Sequence, residues 1–407
     1  KRQDLKPPLA GKLDELYRSK RDGTLENVFL QSGFTPNYLS GRSAMWVDIN
    51  GDSFLDLTIG SANNQLVFYC NQDGKYFKHV DLHGVEKNDC NFFNWLDIDS
   101  DGDQDLLLAG CYEGQDALFL NTGQWNFENI STKAGFSDTL TIYQEYNELK
   151  QKGIPFLGAM IFPADYDNDG DFDLLFGSPD NETGCRLLRN KGDISFENIT
   201  LEAGLPVQGP WKEGQWADYD NDGDLGLFLP AGKKNSTSKL FNNNSGKFFD
   251  VTKETKLKIK QCAAASFLDY NNDGFLDLVA QSQPGGKGSE NACADERNQP
   301  FKKVGRNNRL FKNLGNQNHW IFIELRGIKS NRNGLGARIH LSAGGKTQMR
   351  QKGNLHKGRF SQNLLPMHFG LGSAKKVDKI VIYWPSGIRQ VLETLPAAQR
   401  LKIPEPL

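Results

Sequence analysis

Short apolar runs of four to seven residues, set apart by Gly, Asn and Asp, recur along most of the chain, and none reaches ten consecutive apolar residues. Alternation on that scale predicts strands and turns rather than helices, and leaves no stretch long enough to cross a membrane as a helix. The runs form a repeat. Each unit has a strand entering an acidic turn, at residues 42–47, 91–96, 159–164, 212–217 and 263–268. An apolar run follows, as at 55–60, 106–110 and 174–177, then a run ending in Asn at 118–121, 186–190, 239–242 and 309–313. A closing element at 127–136 is echoed at 196–205 and, loosely, at 77–85 and 249–257.

The acidic turns make the repeat explicit. They read Asp48-Ile-Asn-Gly-Asp-Ser-Phe-Leu-Asp56, Asp97-Ile-Asp-Ser-Asp-Gly-Asp-Gln-Asp105, Asp165-Tyr-Asp-Asn-Asp-Gly-Asp-Phe-Asp173, Asp218-Tyr-Asp-Asn-Asp-Gly-Asp-Leu-Gly226 and Asp269-Tyr-Asn-Asn-Asp-Gly-Phe-Leu-Asp277. Their first residues lie 49, 68, 53 and 51 apart, the long interval holding an insertion at 139–155. A period of about 50 with about four strands is the arithmetic of a propeller blade. A linear β-solenoid is the competing arrangement, but its turns are shorter. The expected fold is all-β: a β-propeller with five recognisable blades, and room for up to seven, followed by a small β-sandwich-like domain. The expected limits are an N-terminal extension over 1–24, a propeller over 25–318 and a tail domain over 319–407.

Twenty of the 50 carboxylates fall in these five nine-residue windows. Crowding them costs Coulomb energy unless a cation cancels it. Calcium fits, because it takes six to eight hard oxygen ligands. Side chains at positions 1, 3, 5 and 9, with the carbonyl at 7, can surround one ion. The expected ligands are Asp48, Asn50, Asp52 and Asp56; Asp97, Asp99, Asp101 and Asp105; Asp165, Asp167, Asp169 and Asp173; Asp218, Asp220 and Asp222; and Asp269, Asn271, Asp273 and Asp277. The fourth turn has Gly226 at position 9, which marks a weak, water-completed or empty site. An EF-hand would need a Glu at position 12 and flanking helices; here position 12 is Ile59, Leu108, Phe176, Leu229 or Ala280. Magnesium prefers strict octahedral geometry and retained water. The plain alternative is a set of Asp-rich hairpin turns without metal. Gly at position 6 permits the sharp reversal, and the first turn has Ser53 there with its Gly at position 4.

Composition sharpens the picture at one point. The 407 residues carry a net charge of −2, but residues 319–407 carry +11 and the rest −13. That asymmetry suggests domain docking, or a basic face for a polyanion, with docking preferred. In the tail, residues 320–325, 337–341 and 377–384 read as strands. The chain opens with Lys1, consistent with a leader removed or left out. Six cysteines and five Asn-x-Ser/Thr triplets, at Asn129, Asn181, Asn198, Asn235 and Asn243, fit an oxidising, glycan-bearing compartment. Cys90 with Cys111, and Cys262 with Cys293, are the plausible disulfide pairs.

The Asp-x-Asp-x-Asp-Gly-x-x-Asp turns resemble the FG-GAP/VCBS repeats of integrin-α-type calcium propellers. The tail resembles the ASPIC/UnbV domain, through Ser330-Asn-Arg-Asn-Gly-Leu-Gly-Ala-Arg338, Gly358-Arg-Phe-Ser-Gln362, His368-Phe-Gly-Leu-Gly372 and Val381-Ile-Tyr-Trp-Pro-Ser-Gly387. The pair is similar to the cartilage acidic protein 1-like family, which implies a secreted or periplasmic calcium-binding protein.

Function is less legible. Trp46, Trp95 and Trp216 stand two residues before their turns and pack between blades or offer a stacking platform for a ligand. Asn94, Gln215, Arg42, Lys212 and Glu213 lie on the same strands and are candidates for a pocket at the channel mouth. His356, in a Gly/Lys-rich turn, is the histidine most open to chemistry, and no zinc, nucleophile-elbow or phosphate-loop motif occurs. The favoured reading is a secreted, monomeric calcium-binding module for a glycan or extracellular protein, without nucleic-acid partners. The alternative is a calcium-dependent enzyme, either a lyase or dehydratase on a sugar or a cyclase or isomerase using Glu213, with a small-molecule substrate at the channel mouth.

Overall fold

Each acidic turn joins two antiparallel strands, and each such hairpin starts one sheet of the propeller. The computed structural model describes residues 15–20, 22–34, 41–61, 66–85, 90–111, 116–136, 160–177, 184–206, 208–211, 213–232, 236–282, 308–353, 362 and 365–407. At its N-terminus β1 (Tyr17–Ser19) pairs with β2 (Leu25–Asn27), followed by a single 3₁₀ turn at Leu30–Ser32. Blade 1 comprises β3 (Gly41–Val47), β4 (Asp56–Ser61), β5 (Leu66–Gln72) and β6 (Tyr76–Val80). Blade 2 has β7 (Cys90–Leu96), β8 (Asp105–Cys111), β9 (Ala117–Asn121) and β10 (Phe127–Asn129). Blade 3 has β11 (Ile161–Ala164), β12 (Asp173–Phe176), β13 (Arg186–Asn190) and β14 (Phe196–Asn198). Blade 4 has β15 (Gln215–Ala217), β16 (Gly226–Leu229), β17 (Lys239–Asn244) and β18 (Lys247–Asp250). Among the described residues blade 5 has three strands, β19 (Cys262–Leu268), β20 (Asp277–Ser282) and β21 (Asn308–Phe311). The first strands of blades 2 to 5 are neighbours in succession, which makes them the innermost.

Burial follows from stacking. One sheet of alternating side chains cannot cover both faces, and here the apolar clusters lie between sheets. Met45, Val47 and Phe68 of blade 1 meet Trp95, Leu106 and Phe127 of blade 2. Leu107 and Leu118 meet Phe172 and Leu174 of blade 3, and Leu175 and Leu187 meet Trp216 and Leu227 of blade 4. Phe228 and Leu240 meet Phe267 and Leu278 of blade 5.

The described residues before blade 1 repeat half of this plan. β1 and β2 share the register of β9 and β10, with Ser19 opposite Leu25 as Asn121 is opposite Phe127. The following turns match as well: the Val28 amide donates to the Leu16 carbonyl as the Ile130 amide donates to Leu118. Residues 16–34 are therefore the outer half of a blade, and Phe29 and Phe34 cover the face of blade 1 turned away from blade 2. Tyr17 is 50% exposed, whereas its equivalents Tyr69, Phe119, Leu188 and Phe241 are no more than 6% exposed. Part of the segment read from sequence as an N-terminal extension thus carries propeller structure.

The tail is a two-sheet sandwich. One sheet orders β25 (Met367–Gly372), β22 (His319–Arg326) and β28 (Gln399–Pro404), with β22 and β28 parallel. The other orders β24 (Lys346–Gln351), β23 (Arg338–Ala343), β26 (Lys376–Tyr383) and β27 (Arg389–Pro396). Ile321, Ile323 and Phe369 of the first sheet pack on Ile339, Leu341, Ile380 and Ile382 of the second. Among the described residues there is no α-helix, and no helix is long and apolar enough to cross a membrane.

Tail and propeller are docked. The Gln362 amide brackets the backbone of Trp46 in blade 1, and Gln351 joins the Asp97 amide to Gln104 in blade 2. Met349 enters the core between blades 2 and 3. The Gly372 amide donates to Asn221 in blade 4, and Trp320 and Phe322 pack on blade 5. At Gly370 the backbone comes so close to blade 4 that a Cβ would lie 2.1 Å from Asp218 Oδ2 and 2.5 Å from the Asn221 Cα. The basic tail thus sits on the acidic turns, the docking that the charge asymmetry favoured.

Candidate metal centre

The acidic turns owe their shape to two left-handed positions. Position 4 has positive φ in every turn: Gly51 (73°), Ser100 (69°), Asn168 (62°), Asn221 (60°) and Asn272 (61°). Position 6 does too, at Ser53, Gly102, Gly170, Gly223 and Gly274. Asn is the non-glycine residue that tolerates this region best, which accounts for its recurrence at position 4. Sequence reading found only the second of these positions.

The position-9 carboxylate stitches the turn to its blade. Asp56, Asp105 and Asp173 are buried, each accepting the backbone amide at position 2 and that of an Asn at or next to the end of the third strand, Asn71, Asn121 or Asn190. Asp277 does the same with Tyr270 and Asn313. In blade 4 the equivalent Asn is Asn243, one residue beyond the run expected to end at Asn242. Its amide bonds to Tyr166 and Leu225 carbonyls, and its burial removes this triplet from the candidate glycan sites. Asn129 and Asn198 are exposed, their side-chain oxygens capping Ser131 and Thr200.

Three turns gather carboxylate oxygens within 4.8 Å of one another: Asp165, Asp167, Asp169 and Asp173; Asp97, Asp99 and Asp105; and Asp218, Asp220 and Asp222. Asp101 stands outside the second group and accepts the Asp103 amide. In blade 4 the ninth ligand gives way to Gly226, where a Cβ would lie 2.7 Å from the Tyr219 ring. In turns 1 and 5 the Asn at position 3 does part of a cation's work. The Asn50 amide donates to Asp52 at 2.9 Å, and that of Asn271 to Asp273 at 2.7 Å. Asp48 and Asp269 accept the amides of positions 5 and 6 in the same turns.

The carboxylates are held in an environment that disfavours their charge. Burial, with help from neighbouring aspartates, pushes Asp105 up to about 8, and Asp56 to about 7. Burial also raises Asp165 to about 7 and Asp97 to about 6, against the pull of Arg350 and Arg338. Asp173 and Asp218 lie well above the ordinary range for the same reason. A divalent cation is the group that would reverse these shifts. The residues fit one: Asp97 and Asp167, each a member of one of these groups, have an Oδ1 that is buried without a hydrogen-bond partner. All-oxygen donor sets of this kind are hard-cation sites.

The other candidates spread apart. Trp95 is fully buried, its indole N–H on Thr58 Oγ1 and its ring edge-on to Phe68 and Phe127. Trp216 donates to the Phe162 carbonyl and lies against Tyr166 and Phe248. Both spend their faces on blade packing. Trp46 is half-buried, 5.8 Å from the Phe77 ring. Asn94, Glu213 and Gln215 are buried. Lys212, His356 and Cys293 lie outside the described residues, as do the side chains of Arg42, Cys90 and Cys111, although Cys90 and Cys111 are register partners. A small cleft lies where Trp46, Asp48 and Gln104 face Leu335, Lys352 and Gln362 of the tail.

Comparison with known proteins agrees with this anatomy. Residues 327–406 match the ASPIC and UnbV family, and residues 165–229 the FG-GAP-like repeat. Cartilage acidic protein 1 of Xenopus tropicalis is 24% identical over 175 residues, 41% of this chain and 25% of that protein. The BBSome complex member bbs-2 of Caenorhabditis elegans is 25% identical over 180 residues, 40% of this chain and 24% of that protein. The matches thus span about a quarter of those relatives. Among solved structures, the exotype rhamnogalacturonan lyase YesX aligns over 96% of this chain and 67% of its own, with 12% identity and a TM-score of 0.39. The Vibrio cholerae biofilm matrix protein Bap1 aligns over 89% and 61%, with 11% identity and a TM-score of 0.33. The chain is an all-β protein that carries an FG-GAP-like repeat and a C-terminal ASPIC and UnbV domain, and over part of its length it is similar to cartilage acidic protein 1.

Proposed function

We propose that this chain is a calcium-stabilised binding module of the extracellular type, its propeller rigidified by ions in the acidic turns and its outer surfaces presented to a glycan or an extracellular protein. The observation that supports it best is the buried Asp97 Oδ1, which has no hydrogen-bond partner, on an aspartate of a carboxylate group whose charge burial disfavours. Asp165, Asp167, Asp169 and Asp173 would hold the best-supplied ion, and the group at 218–222 one with fewer protein ligands. A bound ion would supply charge neutralisation and a rigid node. The protein's own part is to orient the oxygens through the position-9 stitch and the two left-handed residues.

Thermal melts in calcium and in EDTA test the metal role. A ligand that binds only the folded state adds about 2.7 kcal/mol at a hundredfold excess over its Kd. Calcium is expected to raise the Tm, and Asp165→Asn with Asp169→Asn to lose part of the rise. Identical melts in both buffers would rule the role out. A glycan array probed with and without EDTA addresses the binding role, calcium-dependent retention being the expected result.

A further inference from the structure

The tail touches the turns at one repeated atom. In blade 2 the Arg338 guanidinium lies 3.3 Å from Asp97 Oδ2, both side chains buried. In blade 3 the Met349 amide donates to Asp165 Oδ2 at 3.1 Å, and in blade 4 the Gly370 amide to Asp218 Oδ2 at 2.9 Å. In blade 5 Arg400 reaches Asp269 Oδ2 at 2.6 Å, its guanidinium resting on the Phe322 ring. Four consecutive first-position aspartates thus receive a donor from another domain on the same oxygen.

The turn also holds these carboxylates, and on Oδ2 itself Asp218 and Asp269 accept the Gly223 and Gly274 amides. Asp165, Asp218 and Asp269 each accept a turn amide on Oδ1, from Gly170, Asp222 and Asp273. Asp97 Oδ1 is buried without a hydrogen-bond partner, and Asp97 is one of the group with Asp99 and Asp105. A donor on the outward oxygen favours the charged carboxylate and fixes its rotamer, the role outer-shell partners play around metal ligands.

We infer that the C-terminal domain completes the cation sites of the propeller, with Arg338 and Arg400 and the amides of Met349 and Gly370 acting as positioning groups for the first-position aspartates. Cation binding and tail docking are then coupled, each strengthening the other by the same factor. This rests on the calcium reading above. Removing an outer-shell partner typically costs about 10- to 100-fold in metal affinity.

Calcium titration calorimetry on the full chain tests it, with Arg338→Met, Arg400→Met and, as a surface control, Lys402→Met. One site in each arginine variant should weaken by about 10- to 100-fold, Arg338→Lys should restore much of the loss, and Lys402→Met should match the parent. Hydrogen exchange of the parent should show residues 346–351 and 367–372 slowing on calcium addition. Arg400, partly exposed at the domain edge, keeps the test open where Arg338→Met fails to fold. Calcium binding by the parent with unchanged affinity in folded Arg400→Met, or without slowing of those strands, overturns the inference and leaves the calcium reading standing. A parent that binds no calcium overturns both.

Discussion

At the scale of single residues, the turns are written by backbone conformation as much as by carboxylates. Turn 1 shows it best. Its glycine sits at position 4, as Gly51, so Ser53 must adopt a φ of 71° where the other four turns have glycine. A left-handed conformation costs a side-chain-bearing residue roughly 1–2 kcal/mol, and glycine almost nothing. Ser53→Gly is therefore expected to stabilise the protein by about 1 kcal/mol, read as a shift of the denaturant midpoint without a change in slope. A neutral or destabilising result would mean that the serine hydroxyl does something the turn geometry does not show.

At the scale of the turn, burial makes the charge state the controlling variable. Asp48 and Asp97 are raised to about 6, Asp56 and Asp165 to about 7 and Asp105 to about 8, all from near 4. Raised carboxyls mean that the folded protein holds more protons than the unfolded chain between these values. Their contribution to stability is complete below pH 4 and is lost as pH rises through 6 to 8. In EDTA the Tm should accordingly fall between pH 5 and 8, and saturating calcium, by keeping the carboxylates ionised, should flatten or reverse that slope. Melts across this range in both buffers check it. The turns were legible in sequence because each ligand role is tied to a residue type at a fixed offset. The tail's donors were not: two are backbone amides, at Met349 and Gly370, and Arg338 and Arg400 sit far apart in the chain with nothing to join them. The half-blade at 16–34 left only a faint trace, Leu25-Glu-Asn before Gly33-Phe34 against Phe127-Glu-Asn before Gly135-Phe136. Its missing Asn, replaced by Ser19, removes the strongest mark of the third strand.

At the scale of the whole molecule, the charge imbalance between the two regions finds its use in their contact. Lys346 reaches Asp224 at 2.9 Å, and fully buried Arg350 lies in the field of Asp165, Asp218 and Asp224. A repeat array in which each unit meets only its neighbours unravels stepwise from its ends. Here the same tail grips blade 1 at Trp46 and blade 5 at Asp269, with purchase on every blade between. Freeing a terminal blade means losing a contact that also braces the central ones. Heating the intact chain in calcium should hence give one calorimetric transition whose van't Hoff and measured enthalpies agree, and separate peaks would show the blades melting independently. A domain that holds five sheets at once turns a string of similar modules into a single all-or-none object.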